Sequence, residues 1–372
     1  MNASVKLGRI WGIPIGLHLS WFLVFGLVLF SLGTGYFPGE YPQLSTGVHL
    51  VLAAITTVLL FGSVLLHELG HALIALRNRI PVKGITLFVF GGVAQITREP
   101  ETPGAEFRIA IAGPLVSLAL AGAFGVLYLI DRNIPLLAAP SEYLMRLNFL
   151  LVLFNMIPGF PLDGGRVLRS IIWKITGSQA RATQIASAGG QLVAFGFISL
   201  GLLSLFTGQA INGLWLIFIG WFLQNAAASA GQQMRVQQKL RGVSVWQAME
   251  REPGMISPLT PLSQVVEERV LQSGESAFFV VNYDGTVAGL ITLQDITRIP
   301  QAQWRFTTVG QAMVPIQRLL QVEAGAELLA ALQMMEENEA HHAAVVQDNR
   351  TVGLLSREQV MRYLRLRAEL GV

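Results

Sequence analysis

Residues 61–76 read FGSVLLHELGHALIAL and set His67, Glu68 and His71 inside an otherwise apolar run. Histidines at i and i+4 share one face of a helix, so both imidazoles can hold a single metal ion. Glu68 is then placed as general base for a water in metal-assisted hydrolysis. A charged side chain near the centre of a bilayer costs at least about 2.5 kcal/mol on insertion scales, so this cluster needs a reason. The plainer reading is a pair of histidines hydrogen-bonded inside a helix bundle, with Glu68 neutral.

Two histidines leave a catalytic zinc one protein ligand short. The chain has no cysteine, which excludes thiolate ligands and disulfides. His18 and His49 fall in the first apolar stretch and at the start of the second, while His341 and His342 lie far downstream. Among the carboxylates Asp163 stands out, in NMIPGFPLDGGR (155–166) at the end of the fourth apolar stretch. Pro158, Pro161, Gly164 and Gly165 break the helix there and free the backbone to turn Asp163 toward a neighbour. Taken alone, Asp163 also reads as a solvated helix-end carboxylate paired with Arg166.

The elements that must position these groups are membrane helices. Of the 372 residues, 52% are hydrophobic and 13% charged, against about 25% charged in ordinary soluble domains. Apolar stretches near 13–32, 49–76, 108–130, 143–160, 189–207 and 211–230 are long enough to cross roughly 30 Å of hydrocarbon. The first, Ile13–Leu32, is longer than the roughly 7–15 residues of a signal-peptide core and is expected to be a retained helix. Six crossings put both termini on one side. Lys6, Arg9, Arg77, Arg79, Lys83, Arg98, Arg108, Arg166, Arg169, Lys174, Arg181, Arg235, Lys239 and Arg241 all fall on that side. The opposite loops (33–48, 131–142, 208–211) hold Arg132, with Arg146 just inside the next helix. The positive-inside rule makes the termini cytoplasmic, in a multi-pass protein of the cell membrane. No basic cluster is interleaved with aromatics, so nucleic acid is not an expected partner.

Residues 80–99, IPVKGITLFVFGGVAQITRE, show β-branched alternation around Gly91-Gly92 and are expected to form two short strands that dip into the membrane, the plainer reading being a cytoplasmic hairpin. In AGPLVSLALAG, Gly113 and Ser117 show small-xxx-small spacing, which reads as helix packing without chemistry of its own. After Arg235 the text changes. VWQAM (245–249) recurs as VGQAM (309–313) and GLITLQDI (289–296) as GLLSREQV (353–360), both 64 residues on. Two copies of one α/β unit are expected. The balance of charge shifts with them: residues 1–235 carry 14 Lys/Arg and 8 Asp/Glu, residues 236–372 carry 12 and 15.

HELGH together with NMIPGFPLDGGR resembles the intramembrane zinc metalloproteases of the site-two protease family, and GGVAQI and AGP are similar to that family as well. The resemblance spans roughly residues 1–225. It implies one zinc held by His67, His71 and Asp163, Glu68 activating water for peptide hydrolysis, and Asn155 positioning substrate or the oxyanion. The implied substrate is a transmembrane protein within the lipid bilayer, single-pass or already trimmed by another protease. The 80–99 hairpin corresponds to the family's membrane-dipping β element, whose edge could receive an unwound substrate strand. With only about 131–142 between the two motif-bearing halves, no PDZ domain is inserted.

The two C-terminal copies resemble a pair of cystathionine-β-synthase (CBS) motifs, whose signature ends G-h-h-[ST]-x-x-D. The first copy has Gly289, Thr292 and Asp295; the second has Gly353 and Ser356, with Gln359 in place of the aspartate. The resemblance implies an ATP- or AMP-responsive regulator with a single site at Thr292 and Asp295, or a pair that only packs or forms a homodimer. His341 and His342 read as incidental. The expected fold is therefore a polytopic α-helical membrane protein with about six transmembrane helices and a membrane-dipping β-hairpin, joined to a cytoplasmic α/β tandem CBS module. Its parts are a protease domain (1–230), a linker (231–243) and CBS motifs at 244–300 and 305–367. A CBS-regulated transporter or channel is the alternative. It would need polar groups distributed along a path through several helices, whereas here they cluster at two motifs.

Overall fold

Pro14 and Gly16 keep the chain extended before the first helix. Ile13–Leu17 is a strand (β2) rather than the start of a helix, paired with β1 (Val5–Ile10) across the turn Trp11-Gly12. Both turn residues have positive φ, 49° and 83°, as a two-residue hairpin loop requires. The first helix, α1 (Leu19–Glu40), begins only where His18 caps it by accepting from the Ser20 N–H. The apolar stretch expected as one helix from Ile13 is thus a strand followed by a helix. The computed structural model describes residues 4–370 apart from Phe90, Arg132, Arg241 and Asn349, and their side chains apart from those of Asp131, residues 233–239, Ser273 and Ala368. Arg132 and Arg241, and the side chains of Arg235 and Lys239, all counted above for sidedness, lie outside what is described.

The chain divides into two compact units, Met1–Met234 and Arg235–Val372. Among the described residues, six helices are long and apolar enough to cross a membrane: α1, α2 (Thr46–Arg77), α3 (Pro103–Asp131), α4 (Pro135–Asn155), α6 (Gln179–Phe206) and α7 (Ala210–Leu240). Between the fourth and fifth of these lies the amphipathic α5 (Asp163–Thr176), which ends at the left-handed Gly177. Helix α4 starts at Pro135, where a missing N–H costs nothing, so residues 135–142 of the expected 131–142 loop are helix. Helix α7 stays helical through 231–240, the stretch expected as linker.

The expected hairpin forms, β3 (Val82–Phe88) with β4 (Gly91–Ile96), but Gly91 and Gly92 are not its turn: they open β4 and pair with Phe88 and Leu87. It belongs to a four-stranded sheet of order β1-β2-β3-β4, with β2 and β3 parallel. Ile13, Ile15 and Ile85 of this sheet are buried against Leu69, the central residue of the HELGH motif, and Ala72, the residue that follows it on α2. The opposite surfaces of the helices keep large apolar side chains exposed, such as Leu23, Leu27 and Phe30 of α1. In a bilayer those faces meet lipid, which is as apolar as they are.

The second unit repeats its construction. One sheet joins β5 (Gly254–Ile256), β6 (Ala277–Val281), β7 (Val287–Thr292) and β8 (Val314–Pro315); the other joins β9 (Leu320–Glu323), β10 (His342–Gln347) and β11 (Arg350–Ser356). The recurring VWQAM and VGQAM are single helical turns, each opened by a capping box, Ser244 with Gln247 and Thr308 with Gln311. The signature glycines explain themselves through this repeat. A Cβ on Gly353 would lie 2.6 Å from the Glu250 carbonyl and 2.9 Å from Met249 Sδ, and one on Gly289 would meet Val314 and Met313 in the same way. Each copy packs its glycine against the Met-X step of the other.

Candidate active site

Helix α2 brings His67 and His71 to one side, and both are buried. Their Nε2 atoms lie 3.2 Å apart, and Asp163 Oδ2 lies 3.1 Å from the first and 3.2 Å from the second. Asp163 therefore turns to the histidines, and no ion pair with Arg166 forms. Four-coordinate zinc with bonds of about 2.0–2.1 Å needs donors roughly 3.3 Å apart, so the triangle has the size and donor chemistry that zinc takes. The far sides of the rings are also committed. His71 Nδ1 donates to the Ile109 carbonyl at 2.7 Å, and His67 Nδ1 lies 2.9 Å from Ser117 Oγ. With Nδ1 donating, neutral His71 aims its Nε2 lone pair at a carboxylate oxygen and a second imidazole. That arrangement is favourable only with a cation among them or a proton on a ring.

Helix α3 supplies this outer shell. Pro114 removes the donor that would pair with the Ala110 carbonyl, next to the Ile109 carbonyl that His71 uses. Gly113 lies against both rings: a Cβ would fall 2.6 Å from His67 Nε2 and overlap His71 Nε2. Sequence spacing marks Gly113 and Ser117 for helix packing only; here they make room for the donors and hold one of them. The signal available was their position on a glycine-proline kink in an apolar helix.

Glu68, the residue after His67 on α2, reaches β4. Its Oε2 accepts the Ala94 N–H at 3.1 Å, and a Cβ on Gly92 would overlap its side chain. The GGVAQI strand thus fits its glycine and its amide to the glutamate of the motif. Asn155 is the last residue of α4, half-buried, with no side-chain hydrogen bond to the described residues.

Backbone packing delivers Asp163. Within residues 156–162 the backbone at Gly159 and Phe160 lies directly on glycines of α5 and α6. A Cβ on Gly159 would overlap the Gly190 backbone, on Gly165 the Gly159 backbone, and on Gly190 the Phe160 carbonyl. The Phe160 N–H donates to the Ala186 carbonyl at 3.0 Å, and Leu162 is buried with Ala194 and Leu223. Removing side chains lets the loop lie flush on α6, and Asp163 follows as the first residue of α5.

In the second unit, Thr292 and Asp295 engage each other. Thr292 Oγ1 donates to Asp295 Oδ2 at 2.7 Å, and the same oxygen accepts the Thr292 N–H at 3.1 Å. They form the capping box of the helix Leu293–Thr297. In the second copy Ser356 Oγ still accepts the Gln359 N–H, so the cap survives without the carboxylate. His342 is half-buried on β10; burial and the neighbouring His341 hold its pKa below the usual value, while the Glu358 and Asp295 carboxylates oppose the shift. His342 is thus within electrostatic reach of the signature aspartate.

His67, His71 and Asp163 form a cluster that could hold one metal ion, with a glutamate beside it in sequence and among helices of membrane-spanning length, which is the makeup of a membrane-embedded metallopeptidase. Residues 55–134 and 133–197 match Peptidase family M50, and residues 244–301 and 309–366 each match the CBS domain. The chain is 36% identical over 374 residues to sll0528 of Synechocystis sp., which bears the name of a zinc metalloprotease, covering 99% of this chain and 97% of that protein. It is 34% identical over 266 residues to the zinc metalloprotease MJ0392 of Methanocaldococcus jannaschii, covering 69% of each. The solved site-2 protease from M. jannaschii aligns over 61% of this chain and 94% of its own, at 33% identity and a TM-score of 0.42. The chain belongs to the M50 zinc metalloproteases, the site-two protease family, in the form that carries a tandem CBS pair. The transporter alternative finds no support.

Proposed function

We propose that His67, His71 and Asp163 hold one catalytic zinc ion and that Glu68 is the general base for hydrolysis of a peptide bond in or near a transmembrane segment of a membrane-protein substrate. The observation that carries this is the triangle of Nε2, Nε2 and Oδ2 atoms at 3.1–3.2 Å, with Glu68 adjacent in the same helix. Zinc bound there would polarise the scissile carbonyl and make water nucleophilic near neutral pH. Glu68 keeps one oxygen on the Ala94 N–H, which fixes its orientation, and its carboxylate takes the proton of the attacking water and returns it to the leaving amine. The Asn155 amide, uncommitted among the described residues, orients the substrate carbonyl.

Among the described residues, strand β4 has a ladder neighbour only on its β3 side. Its outer edge is where an unwound substrate adds as a strand, since backbone bonds lost on unwinding in lipid must be remade. The sheet accordingly dips into the bilayer. The distribution of Lys and Arg supports cytoplasmic termini and a cytoplasmic CBS pair in the cell membrane. The substrate is a membrane protein, single-pass or already trimmed by another protease. The CBS copies, at about 244–300 and 305–367 after a connection near 231–243, form the regulatory part. They bind ATP or AMP at Thr292 and Asp295 and associate as a homodimer.

The test is Glu68→Gln in proteoliposomes with a helical substrate. Zinc stays bound and cleavage disappears; cleavage that persists with zinc bound removes Glu68 as the base. For the CBS part, AMP or ATP is titrated onto the full chain, and no binding at millimolar nucleotide ends that assignment.

A further inference from the structure

Glu106 and Arg169 form an ion pair that the chemistry above does not use. Glu106, in the first turn of α3, is fully buried, and its Oε2 has no hydrogen-bond partner among the described residues. Its Oε1 accepts from Arg169 Nε at 2.6 Å and pairs with Nη2 of the same guanidinium. Arg169, on α5, is itself buried. Its guanidinium carbon lies 5.3 Å from the centre of the Phe160 ring, and Nη1 is 3.6 Å from Glu99 Oε2 at the rim. One guanidinium therefore joins the start of α3, the loop that leads to Asp163 and the segment that leaves β4.

The same segments carry the metal site. Helix α3 supplies the Ile109 carbonyl, the clearance at Gly113 and the Ser117 hydroxyl; α5 begins with Asp163, three residues after Phe160. We propose that Arg169 is a positioning residue for Asp163: held between Glu106 and Phe160, it keeps α5 and the ligand loop in one register against α3 and so sets how tightly the triad grips its metal. Its contacts are Glu106, Glu99 and Phe160, none of them in the triad. A planar guanidinium that bonds a carboxylate and stacks on a ring fixes rotation as well as distance, which a lysine cannot do. Stability alone does not call for such a pair, because well-packed apolar replacements of buried ion pairs are often as stable. The inference rests on His67, His71 and Asp163 being the zinc site.

The experiment measures zinc affinity of the full chain in detergent by competition with graded chelators, beside the melting temperature of the zinc-stripped protein. Wild type binds one zinc and His67→Ala loses it; if that pair of controls fails, the metal site falls and not the role of Arg169. Arg169→Met and Glu106→Gln weaken zinc binding by about 10–100-fold, as loss of an outer partner does, and Arg169→Lys recovers only part of it. The double variant Arg169→Met/Glu106→Leu leaves no buried charge unpaired, so it decides the matter even where the single variants fold poorly. Recovered melting with zinc binding still weak supports the positioning role. Zinc affinity at the wild-type level in the double variant, or in Arg169→Met, overturns it.

Discussion

Gly113 sits so close to His71 that a Cβ on it would overlap the histidine's Nε2, and the same Cβ would be 2.6 Å from Nε2 of His67. The site has no room for any side chain at that point of α3. Gly113→Ala is expected to push the helix off the donors and cut both zinc content and peptidase activity by more than about tenfold, an effect of the size seen when outer partners of a metal are lost. Metal analysis of the purified variant checks it, and full zinc occupancy would refute it.

Ser117→Ala removes the partner of His67 Nδ1 and leaves that ring free to rotate. Zinc affinity should fall by about 10–100-fold with little change in fold. Chelator competition reads the affinity. A wild-type value would mean that packing alone holds His67.

Glu68→Gln is expected to separate binding from chemistry. The amide can keep the Ala94 contact through its carbonyl oxygen, while the base is gone. Cleavage should drop by about 10²–10⁴-fold, the usual contribution of a positioned base. Single-turnover rates at matched zinc content provide the measurement.

Gly190→Ala places a methyl group where the Phe160 carbonyl lies. Overpacking of this kind typically costs about 1–3 kcal/mol, and here it also lifts the loop that leads to Asp163. Lower thermal stability and weaker zinc binding should appear together. Weaker stability with unchanged zinc affinity would uncouple the seam from the site.

Asp295→Ala should cost the second unit about 1 kcal/mol through loss of the capping box. If the same carboxylate holds a ribose, AMP binding measured by calorimetry disappears as well, whereas Gln359→Ala leaves it unchanged.

His67, Glu68 and His71 are legible in the sequence because helical spacing is local and their cost in lipid makes them conspicuous. Asp163 is legible through the prolines and glycines that deform its surroundings. Strand β2 is not: a short apolar run such as Ile13–Leu17 has no periodicity that separates strand from helix, and only Pro14, Gly16 and the His18 cap argue for what forms. Gly113 and Ser117 show their spacing but not their neighbours, since the rings they serve arrive from another helix. Glu106 and Arg169 are 63 residues apart, and charge counting assigns Arg169 to a side of the membrane without showing that it is buried.

The flush contact of the Gly159–Phe160 backbone on Gly190 has a mechanical consequence. No flexible side chain lies between them to take up a displacement, so α6, the loop and the ligand at its end behave as one part. A lateral gate that swung α6 outward would drag Asp163 away from His67 and His71 while the door stood open. Substrate entry that leaves the site armed must move some other wall.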